Sequence, residues 1–160
     1  MSVVIYVDML IFSDTHFHIK RTVSAIQNHP EIKTILFLGD MAADAEELRK
    51  KFPDRDVYSV RGNNDFYSDD PEVLVIRSGT FSFFLTHGHK YDVKNGDYSV
   101  LIRDTKKRGC SAAIFGHTHL QTLTEEKGII LFNPGFAGTG QYGILRVSQE
   151  KFEFEEMQGF

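Results

Sequence analysis

The sequence predicts an α/β protein with helices flanking either one mixed β-sheet or two packed, mixed β-sheets. Three observations predict it. Short apolar runs rich in β-branched and aromatic residues recur along the chain, each bounded by Gly, Asp, Asn or Pro. Segments with helical spacing separate the early runs, the alternation of an α/β fold. Later runs follow one another across turns alone, so antiparallel pairs must join the parallel ones.

Taken in order, "VVIYVDMLIF" reads as a buried strand, and "HIKRTVSAIQNH" as a helix with Ile19, Val23 and Ile26 on one face. "TILFLG" is the next strand, "AADAEELRKKF" the next helix and "DVYSV" a third strand. "VLVIRSGTFSFFLT" then reads as two strands joined at Ser78-Gly79. A helix over "DYSVLIRDTKKRG" leads to the strands "AAIFG", "GIILFN" and "YGILRV". The tail "KFEFEE" alternates, with Phe152 and Phe154 on one face, as an edge strand does. A mixed sheet, or two sheets packed face to face with outer helices, is favoured over a purely parallel sheet.

The chain of 160 residues fits one domain spanning 1–160. Its 41% hydrophobic and 25% charged residues exclude disorder. With a net charge of -4 and no basic cluster beyond Lys106 to Arg108, it lacks the footprint of a protein that tracks long nucleic acid. Cys110 is the sole cysteine, which excludes an intrachain disulfide and a cysteine-rich zinc site and fits a reducing compartment. The apolar start has no basic flank and carries Asp8, unlike a signal sequence. Nothing else approaches the ~20 apolar residues of a membrane span. The expectation is a soluble, cytoplasmic protein with no membrane partner.

The polar residues at the strand ends carry the chemistry. Asp14 and His16 follow "MLIF", Asp40 follows "ILFLG", and Asn63 to Asp65 follow "YSVRG". His87 follows "FFLT", and His117 and His119 follow "AIFG". The C-terminal edge of α/β strands is where ligands bind, so five segments can converge on one crevice. Six of the seven histidines also fall into His-x-His pairs: His16 with His18, His87 with His89, and His117 with His119.

Asp14, His16, Asp40, Asn63, His87, His117 and His119 form an oxygen and nitrogen ligand set without sulfur, suited to Mn, Fe, Zn or Ni. A tetrahedral ion needs about four ligands, so seven side chains fit two ions about 3.5 to 4 Å apart, bridged by a carboxylate. Glycines in "LGD", "RGNN" and "FGHTH" are expected to turn the chain sharply at the strand ends. Alternation after Gly116 would direct His117 and His119 to the same side, with Thr118 facing away.

In that order and spread through most of the chain, "SDTH", "LGD", "GNND", "THGH" and "FGHTH" resemble the motifs of the calcineurin-like metallophosphoesterase superfamily. The length and the "NPG" at Asn133 to Gly135 resemble its small bacterial and archaeal phosphodiesterase branch. The resemblance implies a sandwich of two sheets between helices with a binuclear centre at the strand ends. It implies that Asp14, His16 and His119 bind one metal, that Asn63, His87 and His117 bind the other, and that Asp40 bridges them. Mn is the leading expectation for both ions, with Fe, Zn and Ni as alternatives. The implied activity is a phosphodiesterase that hydrolyses a small phosphate ester by in-line attack of a hydroxide bridging the two ions.

Two departures qualify the match. Asn64 stands where many members carry a histidine; an amide can donate a hydrogen bond but cannot deliver a proton, so esters with good leaving groups are the expected substrates. Phe17 and His18 stand where the first motif usually continues with glycine. His18 is read either as a supporting donor or as a cap on the following helix, and His89 as a replacement for the missing histidine. The catalytic set is therefore Asp40, Asn63, Asn64 and His89. Two rivals share the motifs: a phosphomonoesterase or nucleotide hydrolase, and a protein-interaction scaffold like the retromer subunit, which resembles this branch but has lost a metal-binding histidine. A homo-oligomer is left open.

Several neighbours have blander readings. Phe17, Phe66, Tyr67 and Phe136 border the motifs as core or rim, or as walls of a substrate pocket. Arg61 is read as a phosphate ligand or an ordinary salt-bridge partner, His29 as a surface-loop residue, and Cys110 as a small buried apolar side chain. Asn133 to Gly135 form a turn that supports the site.

Overall fold

Residues 7–159 are described by a computed structural model; the first six residues of the chain, including the start of the predicted first strand, lie outside them. The remainder of that strand is β1 (Val7–Phe12), followed by α1 (Lys20–Asn28), β2 (Thr34–Phe37), α2 (Ala42–Lys51) and β3 (Asp56–Ser59). Next come β4 (Val73–Ser78), β5 (Phe81–Thr86), α3 (Ser99–Lys107) and β6 (Ala112–Ile114). The chain then continues through β7 (Thr122–Glu126), β8 (Ile129–Asn133), β9 (Gln141–Val147) and β10 (Phe152–Gln158).

The strands form two five-stranded sheets, ordered β10-β9-β1-β2-β3 and β4-β5-β6-β8-β7. Both are mixed. In the first, β1 and β2 and then β2 and β3 run parallel while β9 and β10 pair antiparallel. In the second, β5, β6 and β8 run parallel between antiparallel edges β4 and β7.

Alternation along the strands builds the layers. Met9 and Ile11 of β1 face inward, with Leu36, Phe83, Leu85, Ile114 and Phe132 in the core between the sheets. Leu10 and Phe12 face outward and pack with Ala25 and Ile26 of α1 and Ala45 and Leu48 of α2. On the far side, Phe84, Ala113 and Leu131 pack against Leu101 and Ile102 of α3. The result is a helix–sheet–sheet–helix sandwich.

Strand β7 has no counterpart among the predicted apolar runs. Its sequence, Thr-Leu-Thr-Glu-Glu, lies at a sheet edge, where pairing on one side suffices and charged residues block further pairing. The predicted edge strand at the C-terminus is β10, whose Phe152 and Phe154 pack on the inter-sheet core. His29 departs from the surface reading: half-buried at the end of α1, it contacts the Tyr142 hydroxyl at 2.9 Å.

The inter-sheet core centres on Phe132, fully buried and stacked on Phe154 at 4.6 Å between ring centroids. Phe132→Ala leaves a cavity between two sheets that cannot close over it, and a loss of about 3 to 5 kcal/mol is expected. A lowered urea midpoint at unchanged slope would report it.

Candidate metal centre

The parallel strands β1, β2, β3, β5 and β6 deliver the site. Asp14 and His16 lie just past β1, Asp40 past β2, Asn63 and Asn64 past β3, His87 past β5, and His117 and His119 past β6. The structure thus brings all seven predicted ligand positions to one edge.

Asp14, Asp40 and His87 are buried at the centre. Asp14 Oδ1 has no hydrogen-bond partner, yet it lies 3.2 Å from His119 Nε2, 3.7 Å from His16 Nε2 and 3.8 Å from His87 Nε2. His16 and His119 bring their Nε2 atoms to 3.2 Å of each other. His87 Nε2 also lies 3.4 Å from Asp40 Oδ2 and 3.1 Å from Asn63 Oδ1. Its Nδ1 meets the Leu38 carbonyl oxygen at 2.7 Å, which fixes the ring. The His117 ring sits 5.0 Å from that of His87, centroid to centroid.

Ligands about 2.1 Å from one ion lie roughly 3.0 to 3.4 Å apart, so several of these spacings match a coordination shell. Asp14, His16 and His119 form one group able to hold a cation, and Asp14, Asp40 and His87 a second. A buried carboxylate oxygen without a proton donor is costly unless a cation meets it. The donor set therefore fits divalent metal ions.

Burial alone would raise the Asp40 carboxyl, but His87, by hydrogen bond and charge, and the Asn64 donors outweigh it and hold it well below the usual carboxylate range. Asn64 contributes its backbone N–H to Asp40 Oδ1 at 3.1 Å and its side-chain amide to Oδ2 at 2.9 Å. Burial also pushes the His117 imidazole down to about 4, with the His87 charge adding to it. His89 is lowered by the same two causes. His117 is therefore neutral at pH 7 and can bind a metal without first losing a proton.

The backbone is strained at the candidate ligands. Five of the seven predicted ligand positions, Asp14, His16, Asp40, His117 and His119, have positive φ between 45° and 70°. Each such non-glycine residue costs on the order of 1 kcal/mol or more and persists only where its surroundings hold it. The expectation for the glycines holds at Gly39, which turns with a φ of 94°, but the candidate ligands themselves also take left-handed conformations. Gly62 and Gly116 are needed instead for close approach. A Cβ on Gly62 would lie 2.0 Å from Asp40 Oδ1, and one on Gly116 1.9 Å from Ser13 Oγ. Nor do His117 and His119 share a side by strand alternation. His119 joins His16, while His117 lies beside His87.

Three side chains hold these turns, and sequence reasoning gave only one of them a supporting role. Asp65 accepts the backbone N–H of Asp40 (2.9 Å), Gly62 (2.7 Å) and Ala42 (2.7 Å), tying the Asp40 loop to the Asn63 loop. Asp44 accepts the Thr15 hydroxyl and the Phe17 N–H, tying the first motif to α2. Asn133 donates to the Gly116 carbonyl and the Thr118 hydroxyl and accepts the Gly135 N–H, bracing the last motif as its turn predicted. Asp44 was hidden because an acidic residue in a helix's first turn is commonplace. Asp65 stood in the open as the last residue of "GNND", but its bonds are to backbone distant in sequence.

The remaining candidates are placed as follows. His89 is half-buried beside His87 and His117, with ring centroids at 5.6 and 6.3 Å. His18 is exposed, and the cap position of α1 belongs to Ile19, without a side-chain cap bond, so the capping reading is not met. Phe136 stacks on His119 at 4.6 Å and meets His16 edge-on at 5.8 Å. Phe17, Phe66 and Tyr67 are exposed rim residues. Arg61 pairs with Glu72 at 2.9 Å, the salt-bridge alternative. Cys110 is buried, and burial raises its thiol pKa.

The calcineurin-like phosphoesterase superfamily domain matches residues 7–149. The chain belongs to this superfamily. It is 28% identical over 151 residues to the probable metallophosphoesterase YsnB of Bacillus subtilis (strain 168), covering 89% of this chain and 86% of YsnB. Among solved structures, a predicted phosphoesterase from Streptococcus pneumoniae TIGR4 superposes with a TM-score of 0.76 at 22% identity, covering 98% of this chain and 91% of that one. Vacuolar protein sorting 29 from Cryptosporidium parvum superposes with a TM-score of 0.74 at 19% identity, covering 96% and 98%. These two likenesses establish the shared fold. The protein is a metallophosphoesterase by family, with metal-binding groups at the strand ends where the fold presents them.

Two outcomes are expected at this centre. In metal-free protein, the His117 ring should titrate by NMR near pH 4, far below an ordinary histidine. Because the folded pKa is the lower one, its contribution to stability is complete above about pH 6.5 and is lost as pH falls toward 4. Asp65→Asn replaces one acceptor with a donor facing backbone N–H groups, and should weaken Mn²⁺ binding about tenfold or more by calorimetry while leaving the circular dichroism spectrum intact.

Proposed function

We propose that the protein is a metal-dependent phosphodiesterase acting on a small phosphate ester, with two divalent cations, Mn²⁺ foremost, at the strand ends. Asp14, His16 and His119 would hold one ion, Asn63, His87 and His117 the other, and Asp40 would serve both. The observation that carries the reading is the buried, unpartnered Asp14 Oδ1 facing three imidazole nitrogens. Bound there, divalent cations would supply Lewis acidity toward phosphoryl oxygens and would make a water more acidic.

The chain's own residues do the rest. Asp40 stays ionised at all working pH values and keeps its negative charge available to both positions. Asn64, pinned to both Asp40 oxygens, offers the substrate a hydrogen bond at most and no proton. His89 is kept neutral by burial and lines a recess of about 270 Å³ with Arg61, Asn63 and Phe66. A cleft of about 440 Å³, lined by Asn64 and sharing Asp65 and Phe66 with that recess, adjoins it. Two recesses that meet at Asp65 and Phe66, next to Asn63 and Asn64, leave room for an ester with two arms, which supports a diester over a monoester.

The scaffold alternative draws support from the fold shared with the vacuolar sorting protein. The full ligand set and the strain stored at five of its positions favour catalysis. Stripping the metal should abolish hydrolysis of bis-p-nitrophenyl phosphate, added Mn²⁺ should restore it, and Asp40→Ala should lower kcat about a hundredfold or more. Turnover by stripped protein, or undiminished turnover by Asp40→Ala, would contradict the proposal.

A further inference from the structure

The cleft of about 440 Å³ lies directly beside the metal centre, between the start of α2 and the loop that follows Asn63. Asn64, which donates to both Asp40 oxygens, forms part of its wall. Any ester arm leaving the centre on that side enters this cleft.

Its chemistry is selective. Met41, Ala42 and Ala43 supply a short apolar surface without bulk or charge. Phe66 and Tyr67 complete the lining, yet they are 81% and 100% exposed. Two adjacent aromatic side chains left in water at the mouth of a cleft gain from any flat ring laid against them. The charged residues lining the cleft are all acidic: Asp65, whose oxygens are taken by backbone N–H groups, with Glu46, Asp69 and Asp70. Glu46 is engaged by Arg49, and Asp70 accepts the Ser59 hydroxyl at 2.7 Å. The Asp69 carboxylate has no protein partner among the described residues.

This combination rejects a further phosphate and welcomes a ring that carries N–H donors. A sugar or alkyl arm would leave the aromatic faces wet. A plain aryl arm would leave the carboxylate unanswered. The recess of about 270 Å³ that Phe66 also lines differs in carrying a cation, Arg61, whose partner Glu72 also pairs with Lys90.

Resting on the phosphodiesterase reading, we infer that this cleft is a nucleoside subsite. It takes the base of one nucleoside arm of the substrate, stacked on Phe66 and Tyr67, with its N–H edge toward Asp69. The substrate class is a phosphodiester carrying a single nucleoside, not a chain of nucleotides, since the next phosphate would meet the acidic wall. A base with adjacent N–H donors, such as guanine, matches a carboxylate best.

The test compares p-nitrophenyl esters that share a leaving group and differ only in the other arm: guanosine 5′-phosphate, phenyl phosphate and methyl phosphate. With Mn²⁺-loaded protein, the guanosine ester should show a KM about tenfold below the methyl ester, with the phenyl ester between them. In Phe66→Ala/Tyr67→Ala the ratio of guanosine to methyl KM should shrink to within about twofold, and Asp69→Asn should bring guanosine level with phenyl. Equal KM values for guanosine and methyl esters, a phenyl ester as tight as guanosine, or an unchanged ratio in the double variant would overturn the subsite. If no ester is cleaved, the phosphodiesterase reading itself has failed. Saturation-transfer NMR with guanosine 5′-monophosphate then decides the cleft alone. Transfer to the base that disappears in the double variant supports the subsite; no transfer with the native protein, or equal transfer in both, overturns it.

Discussion

Two buried carboxylates set the terms for this molecule. Asp14 and Asp40 stand at the meeting point of two sheets, shielded from water, and Asp14 keeps an oxygen that no proton donor satisfies. Such a charge is tolerated only where positive charge answers it. His87 answers in part, lying between both carboxylates. Burial alone would lower its pKa, but the two carboxylates outweigh burial and raise it. The surrounding imidazoles and the Asn63 oxygen complete a shell of donors suited to cations.

Holding that shell open requires backbone conformations that the residues themselves resist. The cost of five left-handed ligand positions is met by bonds between loops far apart in sequence. Asp14 N–H reaches the Gly39 carbonyl at 3.0 Å, His117 N–H reaches Asp14 Oδ2 at 3.0 Å, and Gly116 N–H reaches the His87 carbonyl at 2.9 Å. Asp44, Asp65 and Asn133 add the charged and amide cross-links. The sandwich matters to chemistry because its parallel strands end together, so that five loops can be tied into one rigid edge.

Much of this was legible in the residues. The near-continuous apolar run of β1, buried on both faces, and the helical spacing of α1, which buries one, reported the layers. The candidate site was legible because carboxylates, an amide and imidazoles follow successive strands, a donor set suited to cations at the edge where such folds bind ligands. What stayed hidden depends on proximity without sequence periodicity. Strand β7 is polar because it is an edge. The need for Gly62 lies in an Asp40 oxygen of the neighbouring loop. Asp65 bonds to backbone atoms, which leave no trace in side-chain pattern. The left-handed turns at Asp14 and His119 run against their own propensities, as expected where function overrides local preference.

The measurement that bears most directly on this account is a crystal structure of the Mn²⁺-soaked protein with anomalous diffraction recorded at the manganese edge. The account predicts two anomalous peaks, one bonded to Asp14, His16 and His119 and one to Asn63, His87 and His117, with Asp40 bonded to both. A single peak, or peaks held by other residues, would contradict it.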